Sequence, residues 1–364
     1  MGLYSLILAT TVASTIAALG SSDAHASVWP KGKPTARVVD VVDVSVTSYP
    51  MRLTITMLQG LVNRGPRAQA YLLHPGPSDA FWLEHLKAKG HVQGTRVLST
   101  DGFLRAHARS FRKVLVYDPT MSGSINAAIM LGALENSLAC APEDAPTVAA
   151  GRPIEDLRGR WATNAEAIQW AHRTLRPRMK RDMLASMNPK GGDPHLYDYL
   201  VANKVFTFWI TSKEKADGRV SEHRSERAAV EQILAASPVN TPVLGFWFSG
   251  PDHGINEYTG VGLAGETGQY TVVTSHSSNL SLLSGVKVDW KAAVRRYQTT
   301  IAKRQTPKLE GDKVYVCFEF AESGDSPFYL QYCQWQEWQD PMRGKLPFNW
   351  NVGPMVLELC PVIM

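Results

Sequence analysis

The chain has 364 residues, 44% hydrophobic and 20% charged, which is the balance of an ordinary folded protein and excludes a disordered or collagen-like one. That length suits two or three domains. Thirty-eight Lys and Arg against 33 Asp and Glu leave a net charge of +5, but the basic residues are scattered and make no footprint for nucleic acid. The densest group, Arg173, Arg176, Arg178, Lys180 and Arg181, offers a phosphate-binding strip or a solvated helix face, and the second reading is preferred.

Residues 3–19 are apolar and small, and Ala24-His25-Ala26 supplies a small-x-small cleavage site before Ser27. Residues 1–26 therefore read as a signal peptide, which makes the protein exported, secreted or held in the cell envelope. About 17 apolar residues lie at the lower limit for a bilayer span, so no stable membrane span is expected. An exported protein permits disulfides. Cys140, Cys317, Cys333 and Cys360 allow three pairings, and none of their spacings is a zinc pattern. Cys317 falls inside an apparent strand and is expected as a buried free thiol.

Pro30 to Pro34 reads as a linker, and the Val-rich stretch Arg37 to Val46 as a buried strand. Ser48, with Pro50 behind it, caps a helix whose stripe is Leu53, Met57, Leu58 and Leu61. Asn63-Arg64-Gly65-Pro66 ends it. Strand Ala68–Leu73, helix Ala80–Lys89, strand Val114–Tyr117 and a helix to about Leu138 follow. The alternation predicts an α/β layer with a mostly parallel sheet.

An Ala- and Pro-rich stretch, Pro142 to Gly151, marks a boundary. Thr163 and Glu166 fit a capping box before the helix that carries Trp170. Strands at 205–210, 242–248 and 269–274 and a helix at 222–236 complete a second unit. A polar hinge at 307–313 precedes a strand at 314–320. The expected organisation is a first α/β domain over residues 35–145, a second over 151–305, and a third piece over 312–364.

Certain strings go beyond what such patterns require. Leu58-Gln59-Gly60-Leu61-Val62-Asn63-Arg64, Val116-Tyr117-Asp118-Pro119, Asp156 to Ala167, Asp198 to Trp209, Asn279-Leu280-Ser281 and Leu346 to Trp350 together resemble the GxGYxYP family, described as putative glycoside hydrolases. The resemblance runs from about residue 37 to the end. It implies that the strand at 314–320 opens a (β/α) barrel-like carboxy-terminal domain, truncated here. The Gly-Tyr-Pro cluster that names the family is absent, and an apolar run closes at Met364, so the sequence reads as a fragment. Its last 50 or so residues are expected to be poorly ordered, with exposed strand edges.

Glycoside hydrolysis needs two carboxyl groups, one to protonate the leaving oxygen and one to serve as base or nucleophile. In barrels such groups sit on loops after strand carboxyl ends. Ala321-Glu322-Ser323-Gly324-Asp325-Ser326 occupies that place, which makes Glu322 and Asp325 the catalytic candidates. The segment resembles a family Asp-Gly-Asp-Asn block, with Ser326 in place of the Asn. A polar turn with ordinary exposed acids is the plain alternative.

Aromatic side chains bury the apolar faces of sugar rings while amides bind hydroxyls. Trp335 and Trp338 share a face at helical spacing. With Asn349 and Trp350 they are candidate substrate-binding residues, an aromatic domain core being the alternative. The loop Gly245 to Glu257 adds Asp252 and Glu257. Asp252 with His253 lacks a third metal ligand, so no metal site is expected. Gly260-Val261-Gly262-Leu263-Ala264-Gly265 satisfies GxGxxG, but the strand before it ends too early and a strand follows, so dinucleotide binding is rejected and no cofactor is expected. Asp156, Arg158 and Arg160 are expected to lock the two α/β units by salt bridges, with Trp161 in the core.

The function read from the sequence is hydrolysis of glycosidic bonds in an oligo- or polysaccharide. The alternative is a non-catalytic carbohydrate-binding or cell-surface interaction protein. A metal-dependent deacetylase would require His253 and an acid to converge on an ion.

Overall fold

The computed structural model describes residues 28–65, 68–192, 194–211, 222–247, 254–303, 309–320, 326–346, 348–350 and 352–363. The chain divides into residues 1–30 and 31–364, and the second unit carries all the elements below.

Three parallel sheets follow one another along the chain. The first contains β1 (Val38–Asp43), β2 (Ala70–Leu73) and β3 (Gly94–Leu98) in the order β2-β1-β3, with helices α1 (Tyr49–Val62), α2 (Ser78–Ala88) and α3 (Thr100–Ala106). Ser48 accepts from the Met51 N–H at 3.4 Å, as the sequence required. Asp40 is tolerated in β1 because it is paired. Arg96 donates to both its oxygens at 2.7 Å, and His107 Nε2 lies 2.6 Å from Oδ2. Burial alone would raise its pKa, but the bonds from Arg96 and His107 hold it below the usual carboxylate value.

The second sheet has β4 (Val114–Val116), β5 (Leu138–Cys140) and β6 (Ile154–Asp156) in the order β5-β4-β6, with α4 (Ser122–Glu135) and α5 (Ala145–Ala149). The Pro142–Gly151 stretch thus runs between two strands of one sheet. Helix α4 is buried along nearly its whole length because it packs against α6 (Asn164–Thr174) and the third sheet. The cap of α6 forms as expected on one side: Thr163 accepts from the Glu166 N–H at 3.2 Å, while the Glu166 carboxylate reaches one residue further back and accepts from the Ala162 N–H at 2.9 Å.

The third sheet is β7 (Lys180–Ser186), β8 (Val205–Phe208), β9 (Pro242–Gly245) and β10 (Tyr270–Val273), ordered β10-β9-β7-β8, with α7 (Tyr197–Asn203), α8 (Glu222–Ala235) and α9 (Glu257–Glu266). Helices α10 (Leu280–Leu283) and α11 (Trp290–Ala302) follow. The GxGxxG glycines lie within α9. Gly260 is there because a Cβ would meet Trp247 Cγ at 2.2 Å, which is helix packing and not a phosphate cradle.

Beyond residue 312, β11 (Phe318–Phe320) pairs in parallel with β12 (Phe348–Trp350). Between them run α12 (Ser326–Phe328), a π-helical turn over Tyr329–Cys333 and α13 (Trp335–Trp338); α14 (Met355–Leu359) follows. Two expectations change here. The strand shortens to Phe318–Phe320, which leaves Cys317 exposed rather than buried; all four cysteines are free. The region is also not exposed throughout, because Gln331, Gln334, Val356, Leu359 and Cys360 are buried, and Lys31 pairs with Glu358 at 2.6 Å. The fold class is α/β. Among the described residues, no helix is long and apolar enough to cross a membrane.

Candidate functional site

In parallel sheets, functional side chains gather where loops leave strand carboxyl ends. Three such loops meet here. His74 directly follows β2, and Asp79 lies in the first turn of α2. His195 stands on the loop after β7, and Ser275, His276, Ser278 and Asn279 follow β10.

Asp79 is buried and accepts four hydrogen bonds. Its Oδ2 takes the His74 backbone N–H at 2.9 Å and lies 2.8 Å from His74 Nδ1; its Oδ1 takes Asn279 Nδ2 at 3.1 Å and the Ser278 hydroxyl. Burial works to raise its pKa. The bond and charge of His74, the charge of His195 and the Ser278 bond outweigh burial and hold it below its ordinary value. An ionised carboxylate only accepts, so His74 carries its proton on Nδ1. Its Nε2 is left buried, without a hydrogen-bond partner among the described residues.

The row continues outward. The His195 ring crosses that of His74 at 4.3 Å and 79°, and His276 follows at 6.3 Å. Burial pushes the His195 pKa well below its usual value, and the neighbouring His74 adds to the shift. His276 is half-buried, with Nδ1 3.0 Å from Ser275 Oγ. Phe328 and Tyr332 of the carboxy-terminal segment pack over it at 5.1 and 6.4 Å. Gln331 anchors that segment. Its Nε2 donates to the Ser278 carbonyl at 2.8 Å, and its own carbonyl accepts from Ser78 Oγ at 2.6 Å and Trp82 Nε1 at 2.7 Å.

A buried amide web holds these loops in register. Gln59 donates to Asn279 Oδ1 at 2.6 Å, and Asn63 to Ser281 Oγ at 2.7 Å. Ser281 in turn donates its N–H (2.8 Å) and hydroxyl (2.6 Å) to Asp198. Gly60 lets α7 approach: a Cβ there would lie 2.5 Å from the Asp198 carbonyl. The strings around residues 59–63, 198 and 279–281 are therefore parts of one polar joint between the first and third sheets.

The residues picked from sequence separate into groups. Glu322, Asp325 and Asp252, with His253, lie outside the described residues. Glu257 opens α9 and is exposed. Trp335 stacks on Phe81 at 4.5 Å and 22°, so it joins α2 and does not share a binding face with Trp338. Trp338, 49% exposed, meets Trp350 at 5.5 Å and 74°, and Arg343 lies 4.0 Å over the Trp338 ring. Asn349 is exposed on β12, its Nδ2 3.5 Å from Cys317 Sγ. Trp338, Asn349, Trp350 and Arg343 thus form one aromatic corner.

The opening motif also acts locally. Asp156 pairs with Arg158 at 2.6 Å on the surface, and Arg160 lies 4.5 Å over Trp170. The expected lock between the two α/β units is therefore not what these contacts make: the Asp156–Arg158 pair stays within the loop after β6, and Arg160 joins that loop to α6, while Trp161 is core as expected. Of the basic cluster, Arg176 is not a solvated face: it donates to the Arg181 carbonyl at 2.7 Å and to Ser237 Oγ at 3.1 Å. The histidine row itself escaped the sequence reading. The available signal was the position of His74 and His276 just past strands.

Among the described residues, no three His, Cys, Asp or Glu side chains converge on an ion. A groove of about 590 Å³ on the second sheet is lined by Arg112, Lys113, Glu135, Asn136 and Arg178, and contains none of the histidines.

Four family models cover the chain. The GxGYxYP first-domain model matches residues 38–105, the second-domain model 112–179 and the third-domain model 181–285. The model described as "GxGYxYP putative glycoside hydrolase C-terminal domain" matches 312–364. The matches to the amino-terminal models follow the three parallel sheets. No curated protein matches. Among solved structures, a "putative hydrolase from Bacteroides thetaiotaomicron VPI-5482" superposes with TM-score 0.71 at 16% identity, over 94% of this chain and 62% of that one. The fold is shared, and this chain spans under two thirds of that structure. Cwp8 from Clostridium difficile aligns at TM-score 0.37 and 11% identity, over 66% of this chain and 48% of its own.

Proposed function

Since the chain belongs to the GxGYxYP family, we propose that it is an exported carbohydrate-processing protein that hydrolyses glycosidic bonds. The observation that carries this reading is the exposed Trp338–Trp350 corner, with Asn349 beside it, inside the segment that matches the glycoside hydrolase model. Flat rings at right angles offer two stacking faces to a sugar, and an adjacent amide and guanidinium offer donors to its hydroxyls. Glu322 and Asp325 are the proposed carboxylate pair, one as acid and one as base or nucleophile.

The test is hydrolysis of a polysaccharide panel by the full-length protein and its Asp325→Asn variant. Loss of about a hundredfold or more with unchanged melting temperature supports the assignment. Full activity in the variant removes Asp325 from it, and the loop at 252–257 becomes the next candidate. A second reading rests on the same corner: a binder needs the aromatics and amide but no carboxylate pair. Binding without turnover in the full-length protein would select it.

A further inference from the structure

We infer that the groove of about 590 Å³ on the second sheet is an anion-binding site in which Arg112 and Arg178 hold the carboxylate or sulfate groups of an acidic polysaccharide. The choice of a polysaccharide rests on the carbohydrate reading above; the anion site itself does not.

The groove lies at the amino ends of strands. Arg112 and Lys113 run into β4, Asn136 and Ser137 into β5, and Pro153 into β6, while Arg178 closes the turn before β7. Strands β4, β5 and β6 are parallel, so their amino ends share one edge of the sheet. Of the basic cluster at 173–181, Arg178 alone lines the groove. Arg112 and Arg178 are exposed, and among the described residues no carboxylate pairs with either.

The negative groups nearby are already engaged. Glu135, the acid in the lining, pairs with Lys113 at 2.9 Å, and Lys113 also meets Glu155 at 2.6 Å. Arg160 approaches Glu155 at 3.7 Å. The carboxyl end of α4 could attract a guanidinium, but other donors serve it. Arg64 donates to the Ala133 carbonyl at 2.7 Å, and the Asn136 and Ser137 N–H groups share the Gly132 carbonyl.

Two guanidiniums at one edge thus carry charge that no internal group takes up. Each presents a planar fork of N–H donors that meets the oxygens of an oxyanion in pairs. Ser137, fully buried in the lining, has a hydroxyl without a hydrogen-bond partner among the described residues, an unmet donor at the same edge. Leu134 and Pro153 add apolar surface for the face of a ring. The volume falls in the range of small-molecule sites, ~300–1,000 Å³, and exceeds what an inorganic ion fills.

Affinity electrophoresis of the full chain tests this with polygalacturonate, dextran sulfate and neutral dextran. Salt at about 0.15 M screens charges more than roughly 8 Å apart. Retardation by an acidic polymer and not by dextran is expected, and the polymer that retards identifies carboxylate or sulfate. Arg112→Gln and Arg178→Gln should each weaken that binding about tenfold or more, the loss of a charge-assisted pair, with melting temperatures unchanged. Arg173→Gln removes the same charge from an exposed position outside the groove and should bind as the parent does. Equal loss in the Arg173→Gln protein, or full binding in both groove variants, overturns the site. No retardation of the parent by either acidic polymer overturns the polysaccharide as its ligand. A protein that hydrolyses no polysaccharide, yet is retarded through Arg112 and Arg178, keeps this site and loses only the hydrolytic reading.

Discussion

Asn279 and Gln59 stand 220 residues apart and share a buried hydrogen bond of 2.6 Å. The same Asn279 amide also accepts from the Leu72 N–H at 2.8 Å and donates to the Leu72 carbonyl at 3.0 Å and to Asp79 at 3.1 Å. One side chain thus finishes the end of β2, holds α1 and donates to Asp79. Its backbone has φ 58°, a left-handed conformation that Asn tolerates. Asn279→Gly keeps that conformation and removes every side-chain bond. It is expected to destabilise by about 3 kcal/mol or more, since each buried group left unpaired costs roughly 1–3 kcal/mol. Urea denaturation measures it. Asn279→Asp should be worse near neutral pH, because it sets a second carboxylate against Asp79.

Gly60 reverses the usual helix rule. In an exposed helix, Gly→Ala stabilises by about 1 kcal/mol. Here the new methyl would meet the Asp198 carbonyl at 2.5 Å and Val201 Cβ at 2.9 Å. Gly60→Ala is expected to cost about 1–3 kcal/mol as α1 is pushed from α7. A rise in melting temperature would show that the helices can separate without loss.

Such contacts also mark what the sequence revealed and what it withheld. Ser48 and the Thr163–Glu166 pair were legible because a cap is satisfied within a few residues of itself. The α/β alternation was legible for the same reason. Which strands share a sheet was not: Val114–Val116 and Ile154–Asp156 pair across an Ala- and Pro-rich stretch that looks like a boundary. Gln59, Asn63, Asp198 and Asn279 gave no local sign of their roles, because their partners lie tens to hundreds of residues away. Trp335 and Trp338 share helical spacing, yet the helix between them is four residues long, and their rings find Phe81 and Trp350 instead.

Asp198 predicts a pH dependence of defined sign. Burial raises its pKa to about 7, although Ser281 donates to it. The folded protein keeps this proton where the unfolded chain, with a carboxyl near about 3.9, releases it. The group therefore costs stability increasingly as pH rises from about 4 to about 7, and no further above that. Asp198→Asn has no such term. Measured against the parent at each pH, the variant should gain roughly 2–3 kcal/mol between about pH 5 and pH 8, whatever its offset at pH 5. A parallel pair of stability curves would place the Asp198 pKa at its ordinary value.

Trp338 and Trp350 separate sugar binding from folding. Trp338 is 49% exposed, and its contacts are Trp350 at 5.5 Å and the Arg343 guanidinium at 4.0 Å. Little core packing is lost when such a ring is cut back, so Trp338→Ala should shift stability by less than about 1 kcal/mol. If the corner holds a sugar face, the same change removes the stacking surface and weakens polysaccharide binding about tenfold, or ~1.4 kcal/mol. Trp335→Ala is the internal contrast. That ring stacks on Phe81 beside the Gln331 anchor, so its loss should destabilise the carboxy-terminal segment and leave the sugar surface intact. Affinity electrophoresis on the polysaccharide that the parent binds, beside thermal melts, reads both. Equal retardation of the parent and Trp338→Ala proteins, with the Trp335→Ala protein impaired, would move the binding face from the corner to the surface around α2.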